Sequence, residues 1–382
     1  MEAITPSDDQ AKAIRAIVDW FGDDSREEFY LAGFAGVGKS TIANLAIEEI
    51  KEQHNVSKVR TAAYTGKAAS VLRKKGIEDA STIHSLIYTP KVDEETGELK
   101  FTLSEESAAA EADLIVLDEC SMIDDRLADD LRSFGKKILV MGDPGQLPPV
   151  NGQGAFTRNV PDVFLHEIHR QSAESPIIEL ATLARQGLPI PRNYRKGDVE
   201  AMVLTKATQE LIYRETTQPI CGLNRVRWTY TQRMRARKGF SGEHPVAGER
   251  IICCRNNNKK GLFNGGMGQL VTRGADIIGV REIYSLTVDM DDLHGTTEDL
   301  LTDPYLFAHH FNEGKAQKIQ GARPMLNEFD WGYIITAHKA QGSSWDHVTV
   351  IDDSGAFRDN RRNWLYTAIT RAETGLTLLM RD

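Results

Sequence analysis

The chain has 382 residues, 41% of them hydrophobic and 26% charged, which is ordinary for a globular protein with a core to bury. That length suggests about two or three domains, and a net charge of −9 argues against a protein that coats nucleic acid through its overall field. The opening MEAITPSDDQ has neither the basic nor the apolar region of a secretion signal, no apolar run nears the roughly 20 residues of a membrane helix, and Cys120, Cys221, Cys253 and Cys254 form no C-x-x-C or disulfide framework; a cytosolic chain is expected, bacterial or in a virus-infected host, with no membrane contact.

In chain order, an amphipathic helix opens with Ser7 as N-cap and Ile14, Ile17, Val18 and Phe21 on one face. EEFYLAG (residues 27–33) then reads as a buried strand running into GFAGVGKST (residues 33–41), which matches G-x-x-x-x-G-K-[ST] at every specified position. Gly36, Val37, Gly38, Lys39, Ser40 and Thr41 are therefore expected to hold a triphosphate. The glycines let backbone N–H groups close around phosphate, Lys39 reaches the β/γ oxygens, Ser40 can ligate Mg²⁺, and the helix that follows aims its positive end at the site.

Short apolar runs at residues 29–32, 59–64, 113–118 and 137–141 are of the kind buried in a parallel sheet, which makes this an α/β nucleotide-binding domain. Residues 88–103 break the pattern, with Pro90 and a Glu-Glu-Thr-Gly centre that suggest a projecting β-hairpin. LIVLDECS (residues 114–121) ends a strand in Asp118, placed to hold Mg²⁺ through Ser40 and water, and Glu119, placed to orient or deprotonate an attacking water. In MGDPGQLPPV (residues 141–150), Gly142, Asp143 and Gln146 leave the sheet edge near the same phosphates, where Gln146 can sense the γ-phosphate.

Residues 187–197, with Pro189 and Pro191, read as a connection to a second domain, and apolar runs at 217–224, 347–352 and 375–380 fit a second α/β sheet. Between them, residues 246–280 give short strands at turn-rich intervals, as in a small β-barrel insertion. Residues 223–238 carry Arg225, Arg227, Arg233, Arg235, Arg237 and Lys238 with no acid, either a phosphate-facing patch or a charged outer face, whereas residues 289–303 are acidic and read as a solvated loop. Trp228, Tyr230, Trp331 and Trp345 suit either a core or base stacking, and spacing does not separate the two.

GDPGQLPPV resembles motif III of superfamily 1 helicases, and the DEC run resembles their motif II; over nearly all its length the chain is similar to the RecD-like and phage Dda-like branch. The resemblance implies two tandem RecA-like P-loop domains, in an α/β fold, that move 5′ to 3′ on single-stranded DNA. It implies that Gln10, in SDDQAKAI, reads the adenine edge. AYTGKAA (residues 63–69) resembles motif Ia and STIHSL (residues 81–86) the DNA-contact motif that follows, so that Thr65, Lys67, Thr82 and His84 would face the sugar-phosphate backbone. LHEIHRQSAESPI (residues 165–177) is similar to motif IV, directing Arg170 to the γ-phosphate across the domain cleft. GYIITAHKAQGSSWD (residues 332–346) resembles motif V, with Thr336, His338 and Lys339 toward DNA and Gly342 at the nucleotide, and LYTAITRA (residues 365–372) resembles motif VI, with Arg371 as arginine finger.

By the same resemblance, residues 1–175 form the first RecA-like domain, carrying a strand-separating pin at about 88–103; residues 176–245 and 326–382 form the second, with an SH3-like barrel and extension at 246–325. The implied protein is a monomeric ATP-dependent DNA helicase that uses ATP and Mg²⁺ on single-stranded and forked duplex DNA. An ATP-gated single-strand clamp with weak unwinding, or an RNA helicase of the same superfamily, stays open as an alternative.

Overall fold

The computed structural model describes residues 6–92, 99–149, 154–166, 175–278, 281–293, 295–311 and 326–381. The apolar runs become strands where expected. In the first half these are β1 (Glu28–Gly33), β2 (Val59–Ala63), β3 (Ser81–Thr82), the hairpin strands β4 (Tyr88–Val92) and β5 (Leu99–Leu103), then β6 (Leu114–Asp118), β7 (Lys137–Gly142) and β8 (Val163–Leu165). All but the hairpin join one parallel sheet in the order β3-β2-β6-β7-β1-β8. β1 and β7 are buried along almost their whole length because helices cover both faces, which is why they read as unbroken apolar runs. One of those helices, Asp8–Phe21, starts at a Ser7/Gln10 capping box and buries Ile14, Ile17 and Val18.

The second half holds β9 (Asn193–Lys196), β10 (Val199–Val203), β11 (Gln218–Cys221), β12 (Arg250–Cys253), β13 (Met267–Ile278), β14 (Arg281–Met290), β15 (Thr296–Asp303), β16 (Asn327–Trp331), β17 (Ile335–Thr336), β18 (Trp345–Ile351) and β19 (Ala372–Met380). Strands β12 to β16 close into a barrel, and the others form a second sheet in the order β17-β11-β18-β19-β10-β9, parallel except for β9. Three local features differ from the sequence reading. Residues 289–303, read as a solvated acidic loop, supply the end of β14 and the whole of β15, where Leu300 and Thr302 face the barrel core. Residues 193–196, read as part of a connection, form an edge strand paired with β10 through a turn at Gly197, whose φ of 58° suits glycine; Asn-Tyr-Arg-Lys has no buried face to announce it. The barrel also runs to Trp331, past the boundary at residue 325 taken from the resemblance, because the polar-looking Asn-Glu-Phe-Asp-Trp of β16 is buried throughout.

The helix Asn224–Arg237 welds the barrel to the second sheet. Arg235 Nε donates to Glu249 Oε1 at 2.6 Å and its guanidinium lies 4.2 Å from the Trp331 ring centroid. Glu249 also accepts from Trp331 Nε1 at 3.2 Å and Tyr333 OH at 3.3 Å. About two turns earlier, Arg227 Nη1 donates to Asp330 Oδ2 at 2.9 Å, beside His310. Trp331 and Tyr230 are core residues, and Trp228 stacks on His310 at 4.4 Å.

Candidate active site between the two sheets

The triphosphate loop leaves the C-terminal end of β1. Gly36 and Gly38 both have φ of 83°, a left-handed conformation that strains any residue with a Cβ. The helix Lys39–His54 starts at Gly38 with no side-chain cap, so its first N–H groups are open to an anion. Lys39 Nζ donates to the carbonyls of Gly33 at 2.7 Å and Phe34 at 3.1 Å, which stores the ammonium on the loop. At the end of β6, Asp118 Oδ1 accepts from the Glu119 amide at 2.8 Å. Burial, with the Glu119 carboxylate second, pushes the Asp118 carboxyl up to about 6. Glu119 itself has φ of 54°, a strained conformation for a side chain of its kind.

A cavity of about 320 Å³ joins these groups across the cleft. Gly36, Gly38, Lys39, Ser40, Thr41, Asp118, Glu119 and Gln146 line it from the first sheet, Gly342 and Arg371 from the second. Arg371 is buried, its Nε donating to Thr367 O at 3.1 Å and its Nη1 to Ser343 O at 3.2 Å. Gln146 Oε1 is buried with no hydrogen-bond partner among the described residues, an orphan facing the place where a phosphate or water would sit. These residues fit a Mg²⁺-triphosphate: a glycine cradle, a lysine, and one hydroxyl beside one buried carboxylate. Among the described residues no group of three or more His, Cys, Asp or Glu could hold a metal ion by itself. Gln10 sits behind the loop, its Nε2 3.5 Å from Val37 O, and Val37 turns its side chain into the core. Arg170 lies outside the described residues.

Two side chains that the sequence reading passed over tie the halves together. Tyr366 OH donates to Asp143 Oδ2 at 2.6 Å and accepts from the Ala35 amide of the phosphate loop at 2.9 Å. Asn363 Nδ2 donates to the carbonyls of Gly145 at 3.1 Å and Gln146 at 3.0 Å. Burial raises the Asp143 carboxyl while Lys39 and Tyr366 oppose it. Both residues lie in the helix Arg361–Ile369 that runs into the LYTAITRA motif, and their partners are too far away in sequence for a local pattern to mark them.

The residues expected on DNA sit on three short helices, two in the first half and one in the second. Thr65, Thr82 and Thr336 share a role: each is an N-cap, its Oγ1 accepting from Ala68 N at 3.1 Å, Ser85 N at 3.1 Å and Lys339 N at 3.3 Å respectively. Gly342, at φ of 75°, packs so closely that an added Cβ would meet Thr65 Oγ1 at 2.6 Å. It therefore touches both the nucleotide cavity and the first of these caps. His84 lies 5.5 Å from the Tyr88 ring and 6.4 Å from Phe101 of the hairpin. Burial pushes its imidazole below the ordinary range, against Asp124, which pulls it up. His338 is lowered by burial too and lies 5.8 Å from the Phe357 ring. Lys67 is ion-paired with Asp292 of the barrel, which also takes Lys74 at 2.9 Å, and Lys339 Nζ lies 3.1 Å from Cys254 Sγ.

The AAA domain family model matches residues 5–201, and the UvrD-like helicase C-terminal domain model matches residues 332–379. The chain is 27% identical over 371 residues to the ATP-dependent RecD2 DNA helicase of Deinococcus radiodurans, covering 90% of this chain and 45% of that protein. It is 31% identical over 176 residues to the ATP-dependent DNA helicase dda of Enterobacteria phage T4, covering 43% of this chain and 39% of that one. The chain thus spans less than half the length of these curated relatives. In fold it is similar to a Bacteroides Pif1 bound to single-stranded DNA, at a TM-score of 0.56 and 19% identity, covering 98% of this chain and 92% of that one. It is also similar to the Pif1 helicase of Candida albicans, at 0.54 and 17%, covering 98% and 94%. Two tandem RecA-like domains, with a hairpin in the first and a barrel in the second, are the fold. Among the described residues no helix is long and apolar enough to cross a membrane.

Proposed function

We propose, since the chain belongs to the AAA domain family and to the RecD-like and Dda-like branch of superfamily 1 helicases, that it is an ATP-dependent motor that moves 5′ to 3′ on single-stranded DNA and separates forked duplex. One observation carries the reading: Arg371 and Gly342 of the second sheet line the same cavity as Lys39, Ser40, Asp118 and Glu119 of the first. A site split between two bodies makes the state of the nucleotide a control on how the bodies sit.

Bound Mg²⁺-ATP supplies the phosphoanhydride whose cleavage drives the cycle. Ser40 and Asp118 would hold the ion, and Lys39 would leave the Gly33 and Phe34 carbonyls for the phosphates. Glu119 takes the proton of the attacking water, and Gln146 orients that water through its unpartnered Oε1. Arg371 offsets the charge that develops, joined by Arg170 under the motif IV resemblance. Gly342 already packs against Thr65, so a shift of Gly342 with the nucleotide is passed to Thr65, and the grip of Thr65, Thr82, Thr336, His84 and His338 on the backbone follows the nucleotide. The motor domains in this reading are residues 1–175 and 176–245 with 332–382, acting as a monomer in a cytosol.

Arg371→Ala is expected to lower ATP turnover by about 10³ to 10⁵ while single-strand binding persists; undiminished turnover refutes the assignment. ATPase with single-stranded DNA, RNA or neither, together with unwinding of forks bearing 5′ or 3′ tails, reads substrate and polarity. Stimulation by RNA alone, or unwinding from a 3′ tail, would overturn the reading.

A further inference from the structure

The loop that follows β7 is continuous with the first sheet but is held by the second domain. Leu147 is buried in the core that the second sheet builds with Leu180, Val348 and Trp364. Its amide donates to Thr367 Oγ1 at 2.9 Å, and its carbonyl accepts from Gln341 Nε2 at 3.1 Å. Asn363 Nδ2 lies 3.3, 3.1 and 3.0 Å from the carbonyls of Pro144, Gly145 and Gln146. Gly145 packs so closely that an added Cβ would meet Tyr366 Cε1 at 3.0 Å and Arg185 Cδ at 3.1 Å. Among the described residues, every hydrogen bond that leaves residues 143–147 for the rest of the chain runs to the second domain.

A peptide group is planar, so holding both of its ends fixes its orientation. The group between Gly145 and Gln146 is held by Asn363 at the Gly145 carbonyl and by Asp143 O, which accepts from the Gln146 amide at 3.1 Å. The group between Gln146 and Leu147 is held by Asn363 at its carbonyl and by Thr367 at its amide. Both backbone dihedrals of Gln146 are thereby set, and with them the direction in which its side chain leaves. Asn363 and Thr367 stand four residues apart on one face of the helix Arg361–Ile369, which runs on to Arg371. The side chain they aim is a wall of the nucleotide cavity, and its Oε1 is the buried orphan there.

We propose that Asn363 is a positioning residue for hydrolysis: from the second domain, and with Thr367, it fixes the backbone of Gln146 so that the Gln146 amide meets the attacking water. The inference rests on the hydrolytic reading above. It makes one helix responsible for two parts of the site, since the segment that ends at Arg371 also aims a side chain that chain order assigns to the first domain.

The test is a double-mutant cycle on the full chain, read as ATP turnover with saturating oligothymidylate. Asn363→Asp keeps the shape but removes the donor, and should lower kcat by about 10²-fold, the scale of a misplaced catalytic group. The KM for ATP and the affinity for oligothymidylate should stay at the parent values. Gln146→Ala should lower kcat too, and Gln146→Ala/Asn363→Asp should be no slower than Gln146→Ala alone, because a side chain already removed cannot be misaimed. Thr367→Val leaves the Leu147 amide without its acceptor, and should show the same dependence on Gln146; it takes the place of Asn363→Asp if that variant does not fold. Losses that multiply in the double variant overturn the inference, as does an Asn363→Asp effect confined to KM or to DNA affinity, or undiminished turnover in Gln146→Ala. A parent that hydrolyses no ATP overturns the hydrolytic reading and the inference together.

Discussion

Tyr366 holds two parts of the nucleotide site from across the cleft, and its partner Asp143 lies 223 residues away in sequence. Removing the hydroxyl leaves a buried carboxylate with the Gly145 amide as its remaining close donor and frees the Ala35 amide. A hydrogen bond to a charged group is worth about 1.5–3 kcal/mol, so Tyr366→Phe should lower stability by about that amount in denaturant unfolding and weaken ATP binding more than DNA binding. An unchanged unfolding midpoint would show that the bond carries no load. The same pair marks what was legible at this scale. Lys39, Ser40, Asp118 and Glu119 could be read because phosphate chemistry dictates residue type and spacing within a short segment. Tyr366 and Asn363 could not, since their meaning comes from partners the chain supplies two hundred residues earlier.

Elements carry the next layer, and here short helices do most of the positioning. Thr65, Thr82 and Thr336 each leave a strand end and cap the turn that follows, which leaves open N–H groups of those turns on the face expected to meet phosphate. Loss of such a cap costs about 1 kcal/mol; Thr336→Ala should show that loss in thermal unfolding, and Thr336→Ser should restore most of it. The barrel rests on one of these helices, Gly66–Lys74, where Asp292 pairs with Lys67 and Lys74. A DNA phosphate must compete with Asp292 for Lys67. Asp292→Asn is therefore expected to tighten single-strand binding at low salt, at some loss of stability because Lys67 and Asp292 are only 18% and 21% exposed; weaker binding would mean that Asp292 orders the site. The hairpin is anchored by Tyr88 OH to Asp130, and its tip lies outside the described residues. Deleting residues 94–98 should weaken unwinding more than ATPase, and equal losses would make the hairpin structural. Strands buried on both faces were readable from composition, whereas β9 and β16 were not: one has no apolar face, and the other buries polar groups whose partners are distant.

At the scale of the molecule, the barrel and the second sheet are joined by buried contacts, and the barrel meets the first domain through partly exposed ion pairs. Arg235 and Glu249 are each almost wholly buried, and every remaining polar atom of that pair finds a partner in Gly242 O, His244 O, Val246 N, Trp331 or Tyr333. Breaking one side of such a pair costs about 3–5 kcal/mol, so Arg235→Met should fall far more in stability than Arg233→Met, on the exposed face of the same helix. The Arg227–Asp330 pair adds a pH dependence. Burial alone would raise the Asp330 carboxyl, but hydrogen bonding from His310 and the Arg227 charge hold it down to about 2. Its folded value is below the ordinary 3.8, so the stabilisation is fully present above that range and drains away as pH falls toward 2. Asp330→Asn abolishes this titration. The variant should be less stable than the parent at neutral pH, and its unfolding free energy should fall less steeply between pH 4 and pH 2. Parallel curves for the two proteins across that window would show that the carboxylate is no weaker a base in the folded chain than in the unfolded one, and that the weld owes nothing to this charge.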